Sequence, residues 1–371
     1  MIDTKTAIEK ITNGEFDNLF TDIYIDSSMI DYQKKRYVHA IEQYETIFCP
    51  DKVAIFSAPG RSEVCGNHTD HQHGMVLATS INLDTIAVSA KNNNDVVRFV
   101  SDGYDMITLN INDLEVNDDE AGTTVSLIRG VLRGLKDHGY KIGGFNAYAT
   151  SDVLVGAGLS SSAAFEVVVG TIISGLYNDM KINSVEIAQI SQYAENVFFK
   201  KPCGLMDQMA CSVGGMVNID FKDPTKPIVK KVPTEFEKYD YSLCIVDTKG
   251  DHVDLTDDYA MIPSEMKKVA NFLGEDYLRD CDSNEFYIRL DEIREAVGDR
   301  PVLRAIHFFN EEYNVKNAVS SLENGKFVEF LDAIRKSGNS SFKYLQNVYT
   351  TRDIQHQNIS VALALSESLL R

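Results

Sequence analysis

The sequence predicts a mixed helix-and-strand protein of about two domains. Its 371 residues are enough for roughly two domains of ordinary size. Apolar, β-branched runs recur between residues 52 and 149, with Gly and Asp turns between them. From Tyr259 to Arg371 the spacing of apolar residues is mostly helical.

In chain order, residues 1–50 read as polar and helical. Ile30, Tyr37, Ile41, Tyr44 and Ile47 fall at helix-like intervals within Ser28–Ile47, and Cys49-Pro50 ends the pattern. Lys52–Ala58 reads as a strand broken by Pro59-Gly60. The polar segment GRSEVCGNHTDHQHG, Gly60 to Gly74, comes next. Met75–Ala90, Val96–Val100 and Met106–Ile111 read as strands. Thr123–His138 reads as a helix, with Val125, Ile128, Val131, Leu132 and Leu135 on one face and Ser126 and Arg129 on the expected surface side. Phe145–Ala149 is a strand leading into VGAGLSSSAAFE, Val155 to Glu166. Two helices follow, Ala163–Tyr177 and Ser184 to about Phe199, the second opened by a capping box of Asn183 and Glu186. After PCGLMDQMACSVGG, Pro202 to Gly215, the runs Met216–Phe221 and Tyr241–Thr248 read as strands, the latter as a buried one.

Composition narrows the function classes. Apolar residues make up 44% and charged residues 25%, as in an ordinary soluble globular protein. The net charge of −19 argues against a nucleic-acid partner, which needs a basic face. Six scattered cysteines without zinc-type spacing point to reduced thiols and a cytoplasmic protein. The N-terminus has no signal-peptide pattern, and no apolar run is long enough to span a membrane.

Three stretches carry chemistry. In VGAGLSSSAAFE, Gly156 and Gly158 let a loop approach a ligand closely. The hydroxyls of Ser160, Ser161 and Ser162 then open a helix whose first amides lack partners, which favours phosphate. The spacing is neither a Walker loop nor a dinucleotide fingerprint. The second stretch holds Arg61, Asn67, His68, Asp70, His71 and His73. Three histidines and an aspartate could bind zinc, but an H-x-x-H-x-H run beside a strand is more often a polar pocket wall. The third has Glu195, with Asp207 twelve residues later. Leu205, Met206 and Met209 around it read as core. A phosphate loop, two carboxylates and an arginine are the parts that phosphoryl transfer needs.

At these stretches the chain resembles the galactokinases of the GHMP small-molecule kinases, from about Ala54 to the C-terminus. GRSEVCGNHTDHQHG resembles their sugar-binding signature, VGAGLSSSAAFE their ATP-phosphate loop, and AENVFFKKPCGLMDQMACSVG the segment bearing the metal ligand and catalytic carboxylate. The resemblance implies an α+β fold of two domains with the active site in the cleft between them. It divides the chain into a helical N-terminal extension (1–50), an ATP- and sugar-binding domain (51–220) and a C-terminal domain (221–371). It also implies ATP-dependent phosphorylation of galactose at the C1 hydroxyl, with Mg²⁺. Ser162 and Glu195 would bind the metal. Gly156, Ala157, Gly158, Leu159, Ser160, Ser161 and Ser162 would hold the ATP phosphates. Asp207, with Arg61 beside it, would act on the hydroxyl, and Asn67, His68, Asp70, Gly204, Asp207 and Tyr259 would hold the sugar. A carboxylate beside an arginine is a poor proton acceptor, so Asp207 is expected to orient the hydroxyl and take its proton late. A monomer is expected.

The pattern departs from the family in places. The family usually has Asn at Glu63, Glu at Asn67, Tyr at His71 and often Pro at Leu154. Uncharged Asn67 would repel a C6 carboxylate less than Glu would, which keeps open a kinase for galacturonate or N-acetylgalactosamine. A non-catalytic galactose sensor is a further alternative, although Ser162, Glu195 and Asp207 are all present. A mevalonate-like alcohol fits the HTD segment poorly. The family's third, Gly-rich motif would follow a helix like Val361–Leu370, and the sequence stops at Arg371, so the expectation is a C-terminal domain shortened at its end.

Overall fold

The computed structural model describes residues 1–49, 52–154, 156, 158–234, 236–249 and 256–370, the side chains of Thr256 and Asp257 excepted. The chain forms two compact units, one of Met1–Arg61 and Ser80–Gly214 and the other of Ser62–Thr79 and Gly215–Arg371.

The first unit begins with β1 (Ile2–Asp3) and three helices, α1 (Thr4–Thr12), α2 (Asp17–Tyr24) and α3 (Ile30–Phe48). Then come β2 (Lys52–Cys65), β3 (Met75–Lys91), β4 (Val96–Ser101), β5 (Ile107–Asn110), α4 (Thr124–Asp137), β6 (Phe145–Ser151), α5 (Ser161–Tyr177), α6 (Ser184–Tyr193) and α7 (Met206–Val213). Its strands run in the order β1-β2-β3-β6-β4-β5. Thr85–Lys91 of β3 lies antiparallel to Phe145–Ser151 of β6, and β4 lies parallel to β6. Successive residues of these strands serve opposite faces, as the period of two requires. Val97, Phe99, Phe145, Ala147 and Ala149 pack with α4, α5 and α6, whereas Ile86, Val88, Ala90, Val100 and Tyr148 pack with α1–α3. Both faces of the sheet are apolar, so both need a helical cover. The N-terminal helices are that cover for one face. Each fully buried Val, Ile or Phe side chain contributes about 1.5–3 kcal/mol to this arrangement. Arg36 and Asp84, both buried, pair at 2.6 Å and tie α3 to β3, with the Tyr24 hydroxyl donating to the same carboxylate at 3.0 Å.

The second unit takes its sheet from Met75–Thr79 of β3, paired antiparallel with β7 (Met216–Asp220), which pairs in turn with β8 (Ile228–Lys231). Helices complete it: α8 (Thr256–Phe272), α9 (Ser283–Ile288), α10 (Leu290–Val297), α11 (Asp299–Glu323), α12 (Phe327–Ser340) and α13 (Asn358–Leu369). The apolar side of α11 packs on Leu77 and Met216 and on α12 through Val315, Ala318 and Val319, and its N-terminal half packs on α8.

Four expectations need correction. The strand from Lys52 is not broken at Pro59-Gly60 but runs on to Cys65. Beyond the proline its backbone finds a partner in the phosphate loop, the Arg61 amide donating to the Leu159 carbonyl at 3.2 Å. Ser126 and Arg129 are buried, not on the surface. The Arg129 guanidinium reaches back to both carboxylate oxygens of Glu120, at 2.8 and 2.7 Å, and to the Asp113 carbonyl, so its charge is paired under the end of α4. Tyr241–Thr248 is neither a strand nor buried: Tyr241, Leu243, Ile245 and Val246 are all exposed. An apolar, β-branched run becomes a strand only against a partner edge, and among the described strands none pairs with it. The capping box at α6 is only half formed. Asn183 accepts from the Val185 amide at 2.8 Å, but the Glu186 carboxylate accepts from the Tyr140 hydroxyl at 2.6 Å.

Candidate active site

The phosphate loop leads into α5, one of the most apolar helices of the first unit and buried along most of its length. Gly156 and Gly158 have φ of 77° and 73°, the left-handed region where a Cβ is costly. Val155 and Ala157 lie outside the described residues, so the expected role of Ala157 has no structural counterpart. Ser160 sits at the N-cap with φ 57°, yet its hydroxyl does not cap the helix. That hydroxyl donates instead to Oδ2 of Asp207. The amides opening α5 therefore carry no side-chain cap and, with the helix dipole, favour an anion there.

Asp207 stands in the first turn of α7, placed there by the Gly204-Leu205 turn. Arg61 reaches it from β2 with a two-pronged contact, Nε to Oδ1 at 2.8 Å and Nη2 to Oδ2 at 2.7 Å, and gives Nη1 to the Gly158 carbonyl at 2.5 Å. One arginine thus joins the Asp207 carboxylate to the loop that opens α5. Leu205, Met206 and Met209 behind it are core, as expected. This junction leaves no spare room. A Cβ on Gly60 would lie 2.8 Å from the Leu159 carbonyl oxygen and 3.0 Å from Val153. Gly60→Ala is expected to cost about 1–3 kcal/mol of stability and to weaken ATP binding by moving the loop. Thermal melts with and without ATP test this, and an unshifted melting temperature would contradict it.

Glu195 lies in a wide helical turn, Ala194–Phe198, that continues α6, and its side chain is 2% exposed. Its Oε1 accepts from the Ser162 hydroxyl at 3.1 Å and from the Lys201 ammonium at 3.0 Å, and its Oε2 accepts from Gln208 Nε2 at 2.7 Å. A buried carboxylate and a hydroxyl are hard oxygen donors, a set that fits Mg²⁺ completed by phosphate and water oxygens. Among the described residues there is no group of three or more His, Cys, Asp or Glu arranged to hold a metal.

One turn along α5 from Ser162, Glu166 is fully buried and accepts from the same Gln208 amide at 3.2 Å, while its Oε1 has no partner among the described residues. Burial, followed by the neighbouring charge of Glu195, pushes its carboxyl well above the ordinary range. A folded state that keeps this proton loses stability as pH rises above the ordinary glutamate value, because the unfolded chain releases it there. Glu166→Gln should therefore raise the melting temperature, and by more at pH 8 than at pH 5. An equal shift at both pH values would contradict this.

Beyond Arg61, the sugar-signature residues lie in the second unit. His68 (φ 61°) and His71 stack at 5.5 Å, and Tyr259 meets the His68 ring at 4.9 Å and the His71 Nε2 through its hydroxyl at 3.3 Å. Burial, then the adjacent His71, pushes the His68 imidazole down to about 3, so it is neutral, and its Nδ1 has no partner among the described residues. Asp70 accepts from the His71 amide at 2.9 Å. His73 turns aside to stack on Tyr277 at 3.6 Å, so the three histidines do not converge as zinc ligands. The Asn67 side-chain amide donates to the Ser341 hydroxyl at 3.0 Å.

The model of the GHMP kinases N terminal domain matches residues 126–215, and that of the galactokinase galactose-binding signature matches residues 42–91. The two segments carry the signatures of the GHMP kinases and, among them, of the galactokinases. The first matched segment contains the phosphate loop, Glu195 and Asp207; the second contains Arg61, Asn67, His68 and Asp70; Tyr259 lies outside both. The chain is similar to the galactokinase of Streptomyces coelicolor, 29% identical over 309 residues, 81% of this chain and 77% of that one. It is also similar to the galactokinase of Limosilactobacillus reuteri, 29% identical over 316 residues, 82% and 79% of the two chains. Its fold matches the crystal structure of Lactococcus lactis galactokinase complexed with galactose, with a TM-score of 0.73 at 23% identity over 84% of this chain and 80% of that one.

Several residues of this site escape a sequence reading. Gln208 and Lys201 bond the metal-ligand candidate, and Glu166 sits behind it. A lone acid in the apolar run of α5, four residues after Ser162, was a usable signal for Glu166. In the second unit, buried His307 holds the Asn67 carbonyl through Nε2 at 2.8 Å, and buried Glu311 accepts the Gly66 amide at 2.9 Å. They lie one turn apart on α11, whose buried residues also include Arg304 and Asn314.

Proposed function

We propose that this chain transfers the γ-phosphoryl group of ATP to the C1 hydroxyl of galactose, giving galactose 1-phosphate and ADP. The observation that carries the reading is the junction at Asp207, where one carboxylate accepts both arms of Arg61 and the hydroxyl of Ser160 from the phosphate loop. An acceptor-binding group is thereby fixed to the edge of the ATP-phosphate site, the positioning that phosphoryl transfer demands.

The C1 oxygen attacks the γ-phosphorus as the bond to the β–γ bridging oxygen breaks and ADP departs. Asp207 orients the hydroxyl throughout. With its charge already shared with Arg61 and Ser160, it accepts the proton late, when the oxygen has become acidic. The amides opening α5 take charge from the phosphates. Ser162 and Glu195 would hold Mg²⁺, which supplies charge neutralisation on the phosphates. His68 with its unpartnered Nδ1, Asp70, Asn67, Gly204 and Tyr259 would hold the sugar hydroxyls. The protein works on small molecules, and its free cysteines suit a reducing compartment such as the cytoplasm; among the described residues no helix is long and apolar enough to cross a membrane.

The test is a coupled ADP-release assay with galactose, galacturonate, N-acetylgalactosamine and mevalonate, with Mg²⁺ and with chelator. Galactose should be the preferred acceptor and turnover should vanish with chelator. Preference for galacturonate, which the neutral Asn67 would tolerate, would replace the acceptor. Galactose binding without any ADP release would make the chain a sensor.

A further inference from the structure

We propose that Lys201 is an additional phosphate ligand, an ammonium group that binds the β- or γ-phosphate of ATP beside Glu195; this rests on the kinase reading above. The chain carries a net charge of −19 and must attract a highly charged anion, so its phosphate site needs local cations. The nearby cations are otherwise engaged. Arg61 spans Asp207 and the Gly158 carbonyl, and Lys200 lies 3.3 Å from Asp118. Lys201 faces the site: its Nζ donates to the same oxygen of Glu195 that accepts from Ser162, a residue of the phosphate loop.

A purely structural role explains this lysine poorly. Glu195 already accepts from Ser162 and Gln208. The Lys201 side chain is 61% exposed, and half-exposed ion pairs add little stability. The backbone, by contrast, is held: the Lys201 amide donates to the Glu195 carbonyl at 3.1 Å, and Pro202 fixes the chain beyond it. A fixed root and a long, exposed stem let the ammonium turn from the carboxylate to a phosphate arriving at the N-terminus of α5. That exchange frees Glu195 Oε1 as the phosphate arrives.

Calorimetric binding of ATP, ADP, AMP and adenosine to the full chain tests the assignment, in chelator and again with Mg²⁺. Lys201→Ala and Lys201→Met should weaken ATP binding about tenfold, the worth of one charge-assisted hydrogen bond. AMP and adenosine should bind as before, and Lys201→Arg should restore most of the ATP affinity. Unchanged ATP affinity in the alanine variant overturns the inference, as does a parallel loss of adenosine affinity. If the wild-type chain binds no ATP, the kinase reading fails and this inference with it. ATP binding without loss in the variant sinks the inference alone.

Discussion

Replacing Asp207 with alanine is expected to abolish turnover, and replacing it with asparagine to leave at most a trace. The carboxylate has two tasks, and each variant removes at least one. It accepts both arms of Arg61 and the Ser160 hydroxyl, and so holds β2, the phosphate loop and α7 in one geometry. It is also the proposed acceptor of the C1 proton, a role worth about 10²–10⁴-fold in rate. Alanine leaves the guanidinium and the hydroxyl without their acceptor. Asparagine keeps the shape but presents an N–H₂ to one arm of a donor fork, and cannot take up a proton. The measurement is ADP release at saturating galactose and ATP, with calorimetry to establish that ATP still binds. Near-normal turnover in either variant would refute the assignment of Asp207.

That site was legible because its chemistry is concentrated in short segments. Glycines at 156 and 158 followed by serines announce a phosphate loop, since few other sequences free both a backbone and a helix N-terminus. The strands of the first unit were legible for a similar reason: β3 and β6 are long and apolar enough to declare themselves locally. Interactions that depend on distant partners were not. Pro59-Gly60 looks like a break until the loop near Leu159 is seen to pair with the strand. Arg129 looks solvated because Glu120, which neutralises it, lies a turn before the helix. Tyr241–Thr248 has the composition of a strand, but composition cannot supply an edge to pair with. The support of the sugar loop by His307 and Glu311 spans some 240 residues of chain, and only folding brings the two parts together.

Removing the Glu195 charge should be nearly as damaging, but with a different signature. Glu195→Gln keeps the volume and, with its oxygen at the Oε1 position, an acceptor for Ser162 and Lys201, but its N–H₂ then faces the Gln208 amide, also a donor. Glu195→Ala leaves three donors around an empty position. Both lose the buried, charged oxygen proposed to hold the divalent ion, because a neutral amide binds Mg²⁺ far more weakly than a carboxylate. Turnover should fall about 10²–10³-fold, and the Mg²⁺ concentration for half-maximal rate should rise at least tenfold in the glutamine variant. Galactose affinity, measured by calorimetry without nucleotide, should not change, because Glu195 is not among the residues proposed to hold the sugar. Asp207 variants would behave in the opposite way, with an unchanged Mg²⁺ requirement for whatever activity survives. If Glu195→Gln kept the wild-type Mg²⁺ dependence, the metal would have to be held elsewhere. Glu195 would then be a buried anchor for Ser162, Lys201 and Gln208, and its loss would appear in thermal melts and not in the metal titration.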